Sequence, residues 1–149
     1  MKICVQREDF DLTAEVDALR KLNPRVGAVA SFIGQVREVA MTLEHYPGMT
    51  EKAIAKIVGE ASSRWQVMDC AVIHRYGELQ PTDQIVLVAV ASAHRADAFA
   101  ACEFIIDYLK TRAPFWKKEQ TAQGAKWVEA RAADDQAAER WDDPARKAG

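Results

Sequence analysis

Several things are scarce in this sequence, and each shortage excludes a class of protein. Cysteine occurs three times, at Cys4, Cys70 and Cys102, widely spaced and never as a CxxC pair. Neither a disulfide framework nor a zinc or redox motif is expected, and the thiols should be reduced and mostly buried. Cationic excess is missing: 20 Lys and Arg stand against 22 Asp and Glu, for a formal net charge of -2. A general nucleic-acid binder would be basic, so nucleic acid is not an expected partner. No run reaches the ~20 apolar residues of a membrane span. The opening "MKICVQREDFDL" has no apolar stretch long enough for a signal peptide. A cytoplasmic protein away from membranes is therefore expected. Walker loops, dinucleotide fingerprints and GxSxG elbows are absent, as are repeats and low-complexity linkers.

What is present suits one domain. Of 149 residues, 49% are apolar, and a chain of this length buries roughly 70% of its unfolded surface. Residues 1–149 are read as a single α+β domain with a charged, Ala-rich tail over 132–149, either a short helix or disordered. The period-2 pattern of "KICVQ" predicts a strand. "LTAEVDALRKL" spaces Leu12, Val16, Ala18 and Leu19 for a helix capped by Thr13. "GAVASFIGQV" reads as a strand over 27–36, and Gly34 inside it marks a bulge or close approach. "MTLEHY" is a further strand. In "PGMTEKAIAKIVGEASSRW", Thr50 is read as the N-cap of a helix with an apolar stripe at Ala53, Ile54, Ile57, Val58 and Ala61. "DCAVIHRYGEL" predicts a strand ending at Gly77, and "IVLVAVAS" a buried one. In "SAHRADAFAACEFIIDYLKTR", Ala98, Cys102, Ile105 and Leu109 line one helical face, widened by Phe99 and Ile106; Pro114 stops the helix. "AKWVEAR" is the last strand. Strands and helices do not alternate strictly, so the sheet should be mixed and largely antiparallel with flanking helices.

Three groups are candidates for chemistry. His94 and Arg95 open a long helix, whose unpaired N–H groups and partial positive charge suit an anion; the alternative is two exposed polar residues in a first turn. Arg37 follows a strand at a glycine and either points into a cleft or lies on the surface. In "DYLKTRAPFWKKEQ", four cations, Lys110, Arg112, Lys117 and Lys118, flank Pro114 and two large aromatics. One reading is a Phe-Trp core plug with solvated lysines. The other holds a lysine against an aromatic floor of Phe115 and Trp116, where crowding and desolvation favour acid, base or nucleophile chemistry. His45 and His74 lie at strand ends near aromatics and are read as structural.

Arg95 and Lys110 sit fifteen positions apart on the long helix, roughly 22 Å at 1.5 Å per residue. One small substrate cannot touch both within a single chain. Either there are two sites, or a two-fold dimer brings the start of one helix to the end of its mate.

Five segments in series, "GAVASFIGQVR", "LEHYPGMTEKA", "VIHRYGEL", "SAHRADAFAACEFIIDYLKTRAPFWKKE" and "WVEAR", resemble the MoaE family, the large catalytic subunits of molybdopterin synthases. The likeness runs from about Gly27 to Arg131. It implies an α/β hammerhead-type fold, a central homodimer, and a heterotetramer completed by two small ubiquitin-like MoaD-type subunits. Each small subunit would bring a C-terminal Gly-Gly thiocarboxylate that gives its sulfur to cyclic pyranopterin monophosphate, making the dithiolene of molybdopterin. No metal and no bound cofactor is implied. By matching position, Lys117 and Lys110 are the expected catalytic residues, and Arg37, His94 and Arg95 hold anion and pterin. Gln35, Val36, Lys118 and Glu119 line the site, and Arg131 reaches in from the neighbouring subunit. The chain departs from the family between Arg37 and Leu43, where "EVAMT" replaces a longer polar loop.

Overall fold

The computed structural model describes residues 1–121, 124–128 and 132–142, with the backbone alone at 119–121, 124–128 and 132–133. In chain order they form β1 (Lys2–Gln6), α1 (Leu12–Arg20), β2 (Ala28–Gln35), β3 (Met41–His45), α2 (Met49–Arg64), β4 (Asp69–Arg75), β5 (Gly77–Leu79), β6 (Gln84–Ser92), α3 (Arg95–Arg112), β7 (Phe115–Thr121), β8 (Gly124–Val128) and α4 (Ala132–Glu139), with a 3-10 turn at Arg140–Asp142. The class is α+β as expected. The described strands divide into two four-stranded sheets, ordered β1-β4-β6-β2 and β5-β3-β7-β8. The β1–β4 pair is parallel and the other described pairs are antiparallel.

The two central strands of the first sheet, β4 and β6, are dry on both faces. Along β4 and β6, successive side chains point to opposite sides. Cys70, Val72, Val86, Val88 and Val90 join the cluster that holds α2 and α3 residues. Ala71, Ile73, Leu87, Ala89 and Ala91 join a second cluster with Leu19 of α1 and Phe10. This is why "IVLVAVAS" reads as unbroken apolar sequence. Each fully buried Val or Leu there contributes about 1.5–3 kcal/mol.

Local chemistry sets the element ends. The α1 cap is Asp11, whose carboxylate accepts the Ala14 N–H at 3.2 Å, in place of the expected Thr13. Helix α2 begins at Gly48, whose N–H donates to the Glu51 carboxylate at 2.5 Å. Thr50 is instead the second residue of the helix: its hydroxyl accepts from the Tyr46 N–H and donates to the Pro114 carbonyl, tying α2 to the start of β7. The expected irregularity at Gly34 is real, since the β2–β6 register shifts between Gly34 and Gln35. A Cβ at Gly34 would meet Val86 Cγ1 at 2.9 Å.

Two expectations need correction, and the tail takes the helical one of its two expected forms over 132–139. "DCAVIHRYGEL" is not one strand: the chain leaves the first sheet after Arg75 and enters the second at Gly77, which takes φ 95°. On α3, Phe99 does not widen the buried face, being 65% exposed; Ala101, Phe104 and Tyr108 widen it on the other flank. The tail is not wholly a charged appendage. α4 packs on α3, Trp141 is buried beside Trp65 and Phe104, and the Trp141 indole donates to Asp107 at 2.6 Å. Arg140 pairs with Glu103 and Asp107.

Candidate functional site

Helix α3 decides where the candidate residues can meet. It is 18 residues long, with N-cap His94 in extended backbone and no proline inside. The Ser92 hydroxyl accepts the His94 N–H at its start, and Cys102 Sγ meets the Val88 carbonyl midway, so α3 runs back along β6. His94 and Arg95, both exposed, therefore stand at one end and Lys110 at the other, roughly 22 Å away. The single chain does not bring them together.

Arg37 belongs to the Lys110 end. Strand β2 is antiparallel to β6, pairing Ala28 with Ser92 and Gln35 with Gln84, so its C-terminal end lies opposite the start of α3. Gln35 and Arg37 are exposed there. Val36 is 1% exposed, with its N–H donating to the Asp83 carbonyl and its carbonyl accepting from Thr82. Its side chain is a core residue, so what it gives a site is the placing of Arg37. The short "EVAMT" segment begins as a tight turn: the Val39 N–H donates to the Arg37 carbonyl at 2.8 Å across Glu38 at φ 69°.

Lys117 and Lys118 sit on β7, which is the unforeseen strand of the fold. It pairs with β3, placing Phe115 opposite His45, Lys117 opposite Leu43, Lys118 opposite Thr42 and Glu119 opposite Met41. Strand alternation then separates the expected floor. Phe115 and Lys117 share the face of buried Leu43 and Met41. Trp116 and Lys118 share the opposite face, where Trp116 is 39% exposed and meets Tyr46 edge-on at 4.4 Å. The aromatic beneath the catalytic candidates is Phe115 alone. Trp116 instead helps wall an open cleft of about 540 Å³ with Glu44, His45 and Tyr46.

Phe115 does not act by itself. The buried His74 ring stacks on it at 3.7 Å and 19°, and His45 lies between Phe115 and Tyr76, 6.5 Å from the first and 4.2 Å from the second. Burial pushes the His74 pKa down to about 4; the bond of Nδ1 to the Arg75 carbonyl works the other way, and nearby Lys110 and His45 add to the depression. The exposed Lys110 at the end of α3 acts electrostatically on the His74 ring, and the half-buried Lys117 lies two residues along β7 from Phe115, on the same face. Sequence reasoning set both histidines aside as structural. Their signal was the placement of each at a strand end beside an aromatic, in "LEHYPGM" and "VIHRYGEL".

Two of the thiols, Cys70 and Cys102, are buried and poor nucleophiles. Burial, helped by Asp69, pushes Cys70 up to about 11, and burial with Glu103 pushes Cys102 up to about 12. The side chain of Glu119 and all of Arg131 lie outside the described residues. Among the described residues, no helix is long and apolar enough to cross a membrane.

Comparison with known proteins gives a consistent answer. The family model described as MoaE protein matches residues 5–112. A molybdopterin synthase catalytic subunit from Ralstonia nicotianae is 64% identical over 146 residues, covering 93% of this chain and 83% of the relative. One from Escherichia coli is 54% identical over 147 residues, covering 94% and 97%. Among solved structures, a molybdopterin biosynthesis MoaE protein from Burkholderia ambifaria is 60% identical, with TM-score 0.83 over 95% of this chain and 98% of that one. A molybdopterin synthase from Staphylococcus aureus is 36% identical, with TM-score 0.75 over 84% and 95%.

Proposed function

The chain belongs to the MoaE family, and from that membership we infer that it is the catalytic subunit of a molybdopterin synthase, a sulfurtransferase. It takes sulfur from the C-terminal Gly-Gly thiocarboxylate of a small ubiquitin-like subunit and delivers it to cyclic pyranopterin monophosphate, forming the dithiolene of molybdopterin. What carries this reading is likeness of sequence and fold along nearly the whole chain to proteins of that name. The enzyme works in the cytoplasm as the homodimeric core of a heterotetramer.

The residue chemistry fits the task. Substrate and tail are both anionic, and negative charge grows as the cyclic phosphate opens, so fixed cations lower the barrier. Lys117 polarises the carbon under attack or moves a proton, with Lys110 assisting. Arg37, His94 and Arg95 hold phosphate and pterin, and Gln35, Lys118 and Glu119 line the approach. Because His94 and Arg95 stand a helix length from Lys110, each site is assembled from two protomers, with Arg131 crossing from the neighbour. The raised thiol pKa values of Cys70 and Cys102 favour sulfur arriving on the partner's tail over sulfur carried on this chain.

Reconstitution tests this. The protein mixed with thiocarboxylated small subunit and cyclic pyranopterin monophosphate should make molybdopterin, and Lys117→Ala should lose about 10²–10⁴ in rate, the range of a positioned acid or base. A stable complex that makes no product would overturn the enzymatic reading in favour of a binding module. Co-expression of Arg95→Ala with Lys117→Ala tests the shared site. Half the random dimers are mixed, each with one intact site, so about a quarter of wild-type activity should return in a two-fold assembly. No recovery would place the whole site within one chain.

A further inference from the structure

Three polar residues with described side chains are buried in the core: Thr50, Ser92 and His74. The first two are explained by their hydrogen bonds at helix starts. His74 is different. It is the next-to-last residue of β4, held between Val5 of β1 and Val86 of β6, just before the chain crosses into the second sheet. Its ring leaves the first sheet to lie flat on Phe115 of the second. The titratable groups that act on it are Lys110 from the end of α3 and His45 from β3. One ring therefore touches the strand that carries Lys117 and faces the helix end that carries Lys110.

Resting on the functional reading above, we propose that His74 is the positioning residue of the lysine pair: its ring, stacked on Phe115 at the seam of the two sheets, sets how far Lys110 stands from Lys117. Phe115 and Lys117 share one face of β7, so a tilt of the Phe115 ring is passed along two residues of strand to the lysine. The stack also spans the seam between the two sheets, beside the single residue Tyr76 that joins β4 to β5. A cation at His74 would repel Lys110 and cost desolvation, and the depressed pKa keeps the ring uncharged at neutral pH.

Two substitutions separate the ring from mere bulk. His74→Phe keeps a flat ring for the stack; His74→Leu fills the space without one. Each is assayed in the complete complex, and Lys110 and Lys117 are followed by their acylation rates in the full-length protein, read by peptide mass. His74→Leu should lower kcat about tenfold or more while KM for the pterin stays within about threefold, because placement is lost and binding is not. The lysine acylation rates should shift by about threefold or more in His74→Leu and hold within that margin in His74→Phe. A His74→Leu variant with wild-type kcat and wild-type lysine rates would overturn the proposal. So would a His74→Phe variant that falls as far as His74→Leu. If the unmodified protein made no molybdopterin, the functional reading would fall, while the acylation rates would still decide whether His74 places the lysines.

Discussion

The two sheets carry opposite kinds of sequence. In the first, β4 and β6 are buried along nearly their whole length, with one apolar cluster on each side. In the second, β3 alternates: Met41 and Leu43 are buried, while Glu44 is exposed between them and His45. A sheet covered on both faces has no place for an unpaired charge, whose burial costs far more than a single contact returns. A sheet dry on one face only can hold lysines whose stems lie on apolar neighbours and whose ammonium groups reach outward. The first sheet is scaffold and the second is workplace, and α3 links them by packing along one and ending at the other.

That contrast breaks most easily in the scaffold. Phe104 is fully buried on α3 and meets Trp65, Tyr108 and Trp141 edge-on. Phe104→Ala should cost about 3–5 kcal/mol in denaturant unfolding, the transfer loss plus the cavity. A cost under about 1 kcal/mol would mean that the three-ring wall collapses freely and is not a scaffold at all.

The seam between the sheets comes next, and its lever is pH. Burial holds the folded pKa of His74 at about 4, against the ordinary 6.5 of a free histidine. Between those values the unfolded chain binds more protons than the folded one, so stability rises with pH. The contribution is complete above the unfolded pKa and is lost as pH falls through 6.5 toward 4. The shift corresponds to roughly 3 kcal/mol. His74→Phe should flatten that part of the stability curve, measured by urea unfolding at successive pH values. An unchanged slope would assign the acid sensitivity to other groups.

The same contrast explains what the sequence made legible. Wherever burial is regular, pattern alone found the element: the one-sided stripe of α2, the alternation of β3, and the unbroken run of β6, which is buried on both faces. Strand β7 was missed because the residues facing inward with Phe115 include Lys117, so a charge occupies a position where the pattern demands an apolar residue. The break at Tyr76 was missed because leaving one sheet for another changes no local preference, and Gly77 was its one mark. Phe99 misled because a helix face predicts what faces inward only when nothing else bulky is available, and Ala101, Phe104 and Tyr108 filled the interior first. Trp141 sits among charges, yet the slot beside Trp65 and Phe104 outweighs its neighbours. Of the candidate site, the lysines were legible from their crowding around Pro114, Phe115 and Trp116. Which ring supports them was not, because only register assigns Phe115 and Trp116 to opposite faces.

A milder test lies at α1, which covers the second face of the scaffold sheet. Asp11→Ala removes the carboxylate that caps the Ala14 N–H and should cost about 1 kcal/mol. Asp11→Ser should recover most of it, since a hydroxyl caps as well. Equal losses in both would show that the carboxylate acts elsewhere than at the cap.

The smallest effect sharpens the contrast most. Trp116 is a large aromatic, and large aromatics dominate cores, yet the register puts it on the wet face of the second sheet. It is 39% exposed, and its described ring contact is the edge of Tyr46, itself 50% exposed. More than a third of the residue stays in water on folding, so Trp116→Ala should cost only about 1 kcal/mol, the ordinary cost of a point substitution. Phe115→Ala, the adjacent residue but on the other face, removes the stack on buried His74 and should cost more, about 2–3 kcal/mol. Equal costs at the two positions would mean that both faces of β7 are dry, and the division into scaffold and workplace would fail at the strand that carries the lysines.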